Sequence, residues 1–373
     1  MRIAVIYLGR RGSGCRIALE LARRLCAGPD GFAVISDLVE NRAAWQSTEI
    51  NLIEVRPFGS TIQAARSWLD RRPVHHLVEQ IADLQPDVLL FPMFHPWNPL
   101  LQDMLSGLPS VVWLHDPLPH PGMGNWVIAQ VENWSLQRAT RVVVLSQRFI
   151  PVAMRRGARD GYVDVIPHGI IYSGTAPKSQ ETRLEKPLVL NFGRITPYKG
   201  IDILLRAFRL VQDRHPNVRL RLAGEGDLAP YKSLLRALSQ VEVLNYWIPE
   251  EEISAVFQDA LLVTLPYTSA SQSGVVALAA GNGLPVVATR VGALPEQVQD
   301  GVTGLLVTPG SEEELAEAIC RLLEDPPLAA RLGQALREDF VLHRSWEMIA
   351  AKTREICAQA IRDHVHQRKL GLG

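Results

Sequence analysis

PLVLNFGRITPYKGIDILLRAFRLVQ, residues 187–212, is the stretch on which the reading of the fold turns. Its first seven residues form a short apolar run with no polar alternation, which is the pattern of a strand buried on both faces. The run stops at Gly193. A polar loop with Arg194 and Lys199 follows, and after Gly200 the apolar residues recur at the spacing of an amphipathic helix (201–212). Strand, loop and helix in that order make half of a βαβ unit.

The same rhythm extends in both directions. Upstream, residues 2–8, 32–37, 51–55, 87–92, 110–115, 141–146 and 163–167 read as strands, and 14–26 as a helix. Downstream, residues 217–224, 241–247, 260–266, 284–289 and 303–308 read as strands, with a helix at 311–325 whose Ser311 and Glu314 fit a capping box. Residues 172–186 lack any period and carry Gly, Pro, Ser and charge, so they read as a linker or surface loop. The expected organisation is α/β. It has a doubly wound parallel domain at 1–171, the linker at 172–186, a second such domain at 187–342 and a final helix at 343–373. The 373 residues suit two domains of ordinary size. Two such sheets imply a cleft between them, with ligands outside the carboxyl ends of the strands.

Composition narrows the classes of partner. The apolar fraction is 47%, the charged fraction 21%, and the formal net charge zero. That balance argues against a nucleic-acid-binding chain, which needs an excess of Lys and Arg. Arg10, Arg11, Arg16, Arg23 and Arg24 cluster near the start, as a solvated helix face or as a phosphate or membrane patch. Cys15, Cys26, Cys320 and Cys357 form no CxxC pair and read as core residues of a cytosolic chain. The short apolar N-terminal run does not resemble a secretory signal, and no run of about 20 apolar residues offers a membrane span. A peripheral membrane association stays open.

Four segments carry candidate chemistry. GRRGSGC (9–15) joins the first strand to the first helix, and Gly12 and Gly14 allow close backbone approach at a helix N-terminus. Ile17 stands where a dinucleotide fingerprint needs its third glycine, so the loop reads as a structural turn or as another kind of phosphate cradle. Gly193, Arg194 and Lys199 form the second segment. Cations beside a helix N-terminus cost about 0.3–1 kcal/mol, and they suit a bound anion as well as a solvated surface. In the third, Ser271-Gln272-Ser273-Gly274-Val275 heads a plain apolar helix, where side-chain capping and anion binding by the remaining N–H groups are compatible. The fourth is His115-Asp116 at a strand end, with His120 in the Pro-rich loop beyond; a structural and a functional histidine are both open. No D-x-D pair appears and no His/Cys/Glu cluster shows metal-ligand spacing, so no metal is expected.

FGRITPYKGIDILLRAF, LAGEGD, VVVLSQ, VIPHGI and the long block from LPYTSASQSGVV to GLLVTPG together resemble the group 1 glycosyltransferases, family 4. The resemblance implies a GT-B fold: two Rossmann-like doubly wound domains facing across a cleft. It implies transfer, with retention and without metal or cofactor, of a hexosyl group from a nucleoside diphosphate sugar to a glycan or lipid-linked hydroxyl. The setting it implies is bacterial polysaccharide synthesis in the cytoplasm or at the inner membrane face. By position, Arg194 and Lys199 resemble the cations that stabilise the donor diphosphate. Gly193, Gln272, Ser273, Gly274 and Val275 fall in the donor-binding region, and His115 resembles the histidine that contacts the transferred sugar. Gly12, Gly14 and Asp116 fall on the acceptor and phosphate side. The family commonly has two glutamates with seven residues between them before the G-x-P-V-V break; Ala270 and Leu278 stand there. An epimerase-type enzyme, a non-catalytic nucleotide-sugar-binding protein and an NAD oxidoreductase remain as alternatives.

Overall fold

Continuous apolar runs become buried parallel strands because both faces of a doubly wound sheet are covered by the crossover helices. The computed structural model describes residues 1–28, 31–58, 63, 67–68, 70–118, 126–174 and 180–369. His120 lies outside them. Among the described residues, β1 (Ile3–Tyr7), β2 (Phe32–Ser36), β3 (Asn51–Val55), β4 (Val88–Phe91), β5 (Ser110–Leu114), β6 (Arg141–Val144) and β7 (Val163–Val165) form one sheet. Its order is β3-β2-β1-β4-β5-β6-β7, parallel throughout. A second sheet holds β8 (Leu188–Phe192), β9 (Arg219–Ala223), β10 (Val241–Leu244), β11 (Leu262–Leu265), β12 (Val286–Thr289) and β13 (Leu305–Val307). It runs β10-β9-β8-β11-β12-β13, again all parallel. Both orders are doubly wound. The direction of winding reverses between β1 and β4 in the first sheet and between β8 and β11 in the second.

The strands lie within the stretches expected from sequence, and most are shorter at their carboxyl ends, for local reasons. Ser146 leaves the ladder after β6 to accept the Arg148 N–H at 3.2 Å, capping a short helical turn. Asn245 leaves after β10 and accepts the Gly226 N–H at 3.0 Å. The expected capping box at Ser311 forms on one side, where Ser311 Oγ accepts from Glu314 N at 3.2 Å. The Glu314 carboxylate reaches past Ser311 to the N–H of Thr308, at 2.7 Å.

The chain divides into two compact units. One gathers the described residues up to Leu118, those following as far as Pro167, and those from Trp346 onward; the other is His168–Ser345. The first division falls a few residues before the expected end at 171, because 168–171 is already tied to the second unit. The Ile170 N–H donates to Arg344 O at 3.1 Å and the Ile171 N–H to Ala277 O at 3.2 Å. Within 172–186, the segment Gln180–Glu185 is helical, and Arg183 Nη1 donates to Ala260 O at 3.1 Å. The final helix, Trp346–Lys369, belongs to the first unit. Arg24 Nη2 meets Glu347 Oε1 at 2.7 Å, and Arg141 bridges Asp164 of β7 to Asp363 of the final helix at 2.7 and 2.6 Å.

The helix Gly274–Gly281 is apolar on every side, and residues 275–281 are all buried. Its small side chains follow from what surrounds it. A Cβ on Gly281 would stand 1.9 Å from the carbonyl oxygen of Ile171, a backbone atom that cannot rotate away. Replacement of Gly281 by Ala therefore lowers stability by about 1–3 kcal/mol, read as a drop in the urea midpoint at unchanged m-value.

Candidate functional site

The winding reversal of the second sheet places two loops at the carboxyl ends of adjacent strands. One follows β8 and the other follows β11. Gly193 opens the first in the left-handed region at φ 113°, and Gly200 closes it at φ 66°. Main-chain bonds fix its course: Gly193 N–H to Ala223 O at 2.9 Å and Ile195 N–H to Glu225 O at 2.8 Å. A third, Thr268 N–H to Tyr198 O at 2.8 Å, binds it to the loop after β11. A Cβ on Gly200 would fall 2.0 Å from Pro266 O, so the two loops touch backbone to backbone there.

Side chains converge where the loops meet. Lys199 Nζ donates to Tyr267 Oη at 2.6 Å and lies 3.8 Å from the centroid of that ring. Tyr267 Oη lies 3.4 Å from Ser273 Oγ, which accepts the Val275 N–H at 3.3 Å and so caps the helix Gly274–Gly281. Gln297 holds Ser273 from behind: its Oε1 accepts the Ser273 N–H at 2.8 Å and its Nε2 donates to Ser273 O at 3.1 Å. A Cβ on Gly193 would lie 3.9 Å from both Lys199 Nζ and Val275 Cγ2. Gly193, Lys199, Ser273 and Val275 therefore share one small region of a helix N-terminus. Burial pushes the Tyr267 phenol above its ordinary range, so it stays neutral and accepts the lysine's hydrogen bond.

Arg194 occupies the same loop with its side chain exposed, and it forms no ion pair among the described residues. Gln272 is half buried beside Ser271, whose Oγ is buried. Ala270 and Leu278 are buried and bring no charge to the helix head. Tyr267 and Gln297 are residues that sequence reasoning missed. Tyr267 had a signal, as the hydroxyl-bearing residue two positions beyond β11. Gln297 had none, since it reaches Ser273 across 24 residues of chain.

In the first unit, the loop after β1 carries Gly12, at φ 88°, as the N-cap of the helix Ser13–Leu25. That helix has no side-chain cap bond and no acidic residue in its first turn. A Cβ on Gly14 would stand 2.6 Å from Met93 Cε, the flexible end of a side chain in the loop after β4. Beyond Met93 lies His95, a third residue the sequence did not flag. Its ring stacks on Phe58 with centroids 4.9 Å apart, and its Nδ1 accepts the Trp97 N–H at 3.2 Å. Burial, with the nearby Arg10 charge, pushes His95 down to about 3, so the ring is neutral with its proton on Nε2.

His115 and Asp116 follow β5. Nδ1 of His115 lies 3.2 Å from Oδ2 of Asp116. Burial works against the imidazolium, but the Asp116 charge and hydrogen bond outweigh it and raise the His115 pKa. Arg156 steadies this loop, donating to Pro117 O at 3.1 Å, to Glu132 at 2.6 Å and to Asn133 at 2.8 Å.

A lysine and a capped helix N-terminus thus meet at the winding reversal of a parallel sheet, the place where doubly wound proteins take their ligands, and a helix N-terminus there favours an anion. Comparison with known proteins specifies the class. Residues 186–325 match the family model of glycosyl transferases group 1, and residues 16–172 match that of glycosyltransferase family 4. The chain belongs to the group 1, family 4 glycosyltransferases, enzymes of GT-B fold. It is 35% identical over 187 residues to the D-inositol 3-phosphate glycosyltransferase of Corynebacterium aurimucosum, a match spanning 48% of this chain and 44% of that protein. It is 32% identical over 189 residues to the sulfoquinovosyl transferase SQD2 of Arabidopsis thaliana, spanning 48% and 36%. The chain thus matches less than half the length of these relatives. Among solved structures, HepE of Anabaena in complex with UDP-glucose superposes with a TM-score of 0.74 at 20% identity, covering 96% of this chain and 100% of that one. Sucrose-phosphate synthase of Thermosynechococcus elongatus gives the same score and identity, covering 96% and 98%.

Two outcomes test this geometry. Gln297→Ala leaves the N–H and C=O of buried Ser273 without their partner and lowers stability by about 1–3 kcal/mol, measured by urea unfolding. Asp116→Asn removes the charge that keeps the His115 pKa high, so the NMR titration midpoint of that imidazole moves to lower pH. An unmoved midpoint would show that the carboxylate does not set it.

Proposed function

We propose that this chain transfers a hexosyl group from a nucleoside diphosphate sugar to a hydroxyl of a glycan or lipid-linked acceptor, with retention at the anomeric carbon and without a metal. The observation that carries the reading is the meeting of Gly193, Lys199 and the Ser273-capped helix N-terminus at the reversal point of the second sheet. A diphosphate fits that combination. The ammonium supplies a point charge, the first-turn N–H groups supply donors, and the left-handed Gly193 leaves room for phosphate oxygens. HepE of Anabaena has been solved with UDP-glucose, a donor of the same class.

In this reading the bond between the anomeric carbon and the diphosphate oxygen breaks, and a bond to the acceptor oxygen forms on the same face. The acceptor proton passes to the departing diphosphate. Lys199 and Arg194 stabilise the charge that grows on the leaving group. Arg194, exposed in the same loop, reaches the diphosphate when the donor is present. His115 contacts the transferred sugar, and Gly12 and Gly14 shape the acceptor side. The absence of a D-x-D pair supports neutralisation by these two cations. Among the described residues no helix is long and apolar enough to cross a membrane. Buried Ala270 and Leu278, in place of the two family acids, favour one rival, a nucleotide-sugar-binding protein without turnover.

Replacing Arg194 by Ala should reduce kcat by about 10²–10³-fold with UDP-glucose or another accepted donor, assayed as release of nucleoside diphosphate in the presence of acceptor. Near-normal turnover in that variant would overturn its assignment. Donor binding without product across a broad acceptor panel would favour the binding protein.

A further inference from the structure

The helices Ile201–Arg214 and Glu312–Glu324 follow β8 and β13, pack on the second sheet and end at the opposite edge from Lys199. They run side by side in the same direction. Arg206 near the middle of the first pairs with Glu312 at the start of the second at 2.5 Å, and Arg214 at its end pairs with Glu317 at 2.6 Å and Glu324 at 2.8 Å. The buried seam between them includes Leu204, Phe208, Leu315 and Ile319. At its far end stand His215, the C-cap residue of the first helix, and Cys320 and Glu324, one turn apart on the second.

We propose that His215, Cys320 and Glu324 form a binding site for a thiophilic divalent cation such as Zn²⁺, joining the ends of the two helices. One ligand atom from each residue lies within 4.8 Å of the others. His215 Nε2 is 3.0 Å from Glu324 Oε1, so two of the three already face each other. Imidazole, thiolate and carboxylate are a donor set that zinc accepts, with the fourth position left to water. The burial gradient is favourable: Cys320 is enclosed, His215 is partly exposed and Glu324 faces solvent, which gives the ion a route in. Both helices also point their C-termini here, where the unsatisfied carbonyls favour a cation. Arg214 currently holds Glu324 by one guanidinium nitrogen and Glu317 by another. On metal binding it keeps Glu317 while Glu324 turns its carboxylate to the ion, and the Cys320 proton is released to solvent.

Sequence spacing could not show this site, because His215 is more than a hundred residues from its partners. The proposal concerns the far edge of the sheet and does not depend on the glycosyl-transfer reading. The test is titration of the full chain, stripped of metal with a chelator, with Co²⁺ as the spectroscopic probe. One equivalent is expected to give d–d bands of four-coordinate cobalt and a thiolate-to-cobalt charge-transfer band in the near ultraviolet. Zn²⁺ should abolish both by displacement. Cys320→Ser should lose the charge-transfer band while keeping the circular dichroism of the parent, and His215→Ala should weaken Zn²⁺ binding at least about tenfold. No charge-transfer band at saturating Co²⁺, or a band that persists in Cys320→Ser, would overturn the proposal.

Discussion

A strand in a parallel sheet cannot pass the chain to its neighbour through a tight turn; it must cross over a face of the sheet and re-enter at the starting edge. Every strand then ends at the same edge. Where the crossovers change from one face to the other, two adjacent strand ends send their loops apart and leave a gap. In the second unit those strands are β8 and β11, and the gap holds Lys199, Tyr267 and the head of the helix Gly274–Gly281. The chemistry of the site follows from that constraint. A lysine so near a helix N-terminus works against the helix dipole, and the neutral phenol of Tyr267 gives its ammonium a partner.

How much of this could be read from sequence depended on distance along the chain. Strands buried on both faces leave continuous apolar runs, so 187–193, 260–266 and the rest each contained a strand. Lys199 and Ser273 were legible because a cation and a hydroxyl at a strand-to-helix junction have a local chemical meaning. Gln297 was not, since a glutamine gains its role only when folding sets it against Ser273. His95 was missed for a topological reason. It lies four residues beyond β4, and nothing in the sequence says that β4, and not β5, pairs with β1. Around residues 168–171 the chain is held by main-chain bonds to remote carbonyls, at Ile170 and Ile171, and such bonds leave no mark in the local sequence.

The first unit shows how differently one sheet edge can treat the same side chain. His95 is surrounded by aromatic rings and a neighbouring guanidinium charge, and it stays neutral far into acid. His115, one strand over, has a carboxylate at 3.2 Å and holds its proton to higher pH than a free imidazole. A neutral ring with a fixed N–H orients a polar ligand, and a ring that titrates can take or give a proton. Arg156 keeps the second of these in place by holding the carbonyl of Pro117 and the helix beyond it.

The loops after β8, β9 and β11 are bound to one another mainly through main-chain atoms: Gly193 to Ala223, Ile195 to Glu225, and Thr268 to Tyr198. None of these bonds depends on which side chain is present. Gln272, half buried in the loop itself, can therefore vary while the frame around it persists. A substitution there could alter what the site contacts without disturbing the main-chain bonds that fold it. The same freedom makes this loop a natural place to begin a combinatorial library.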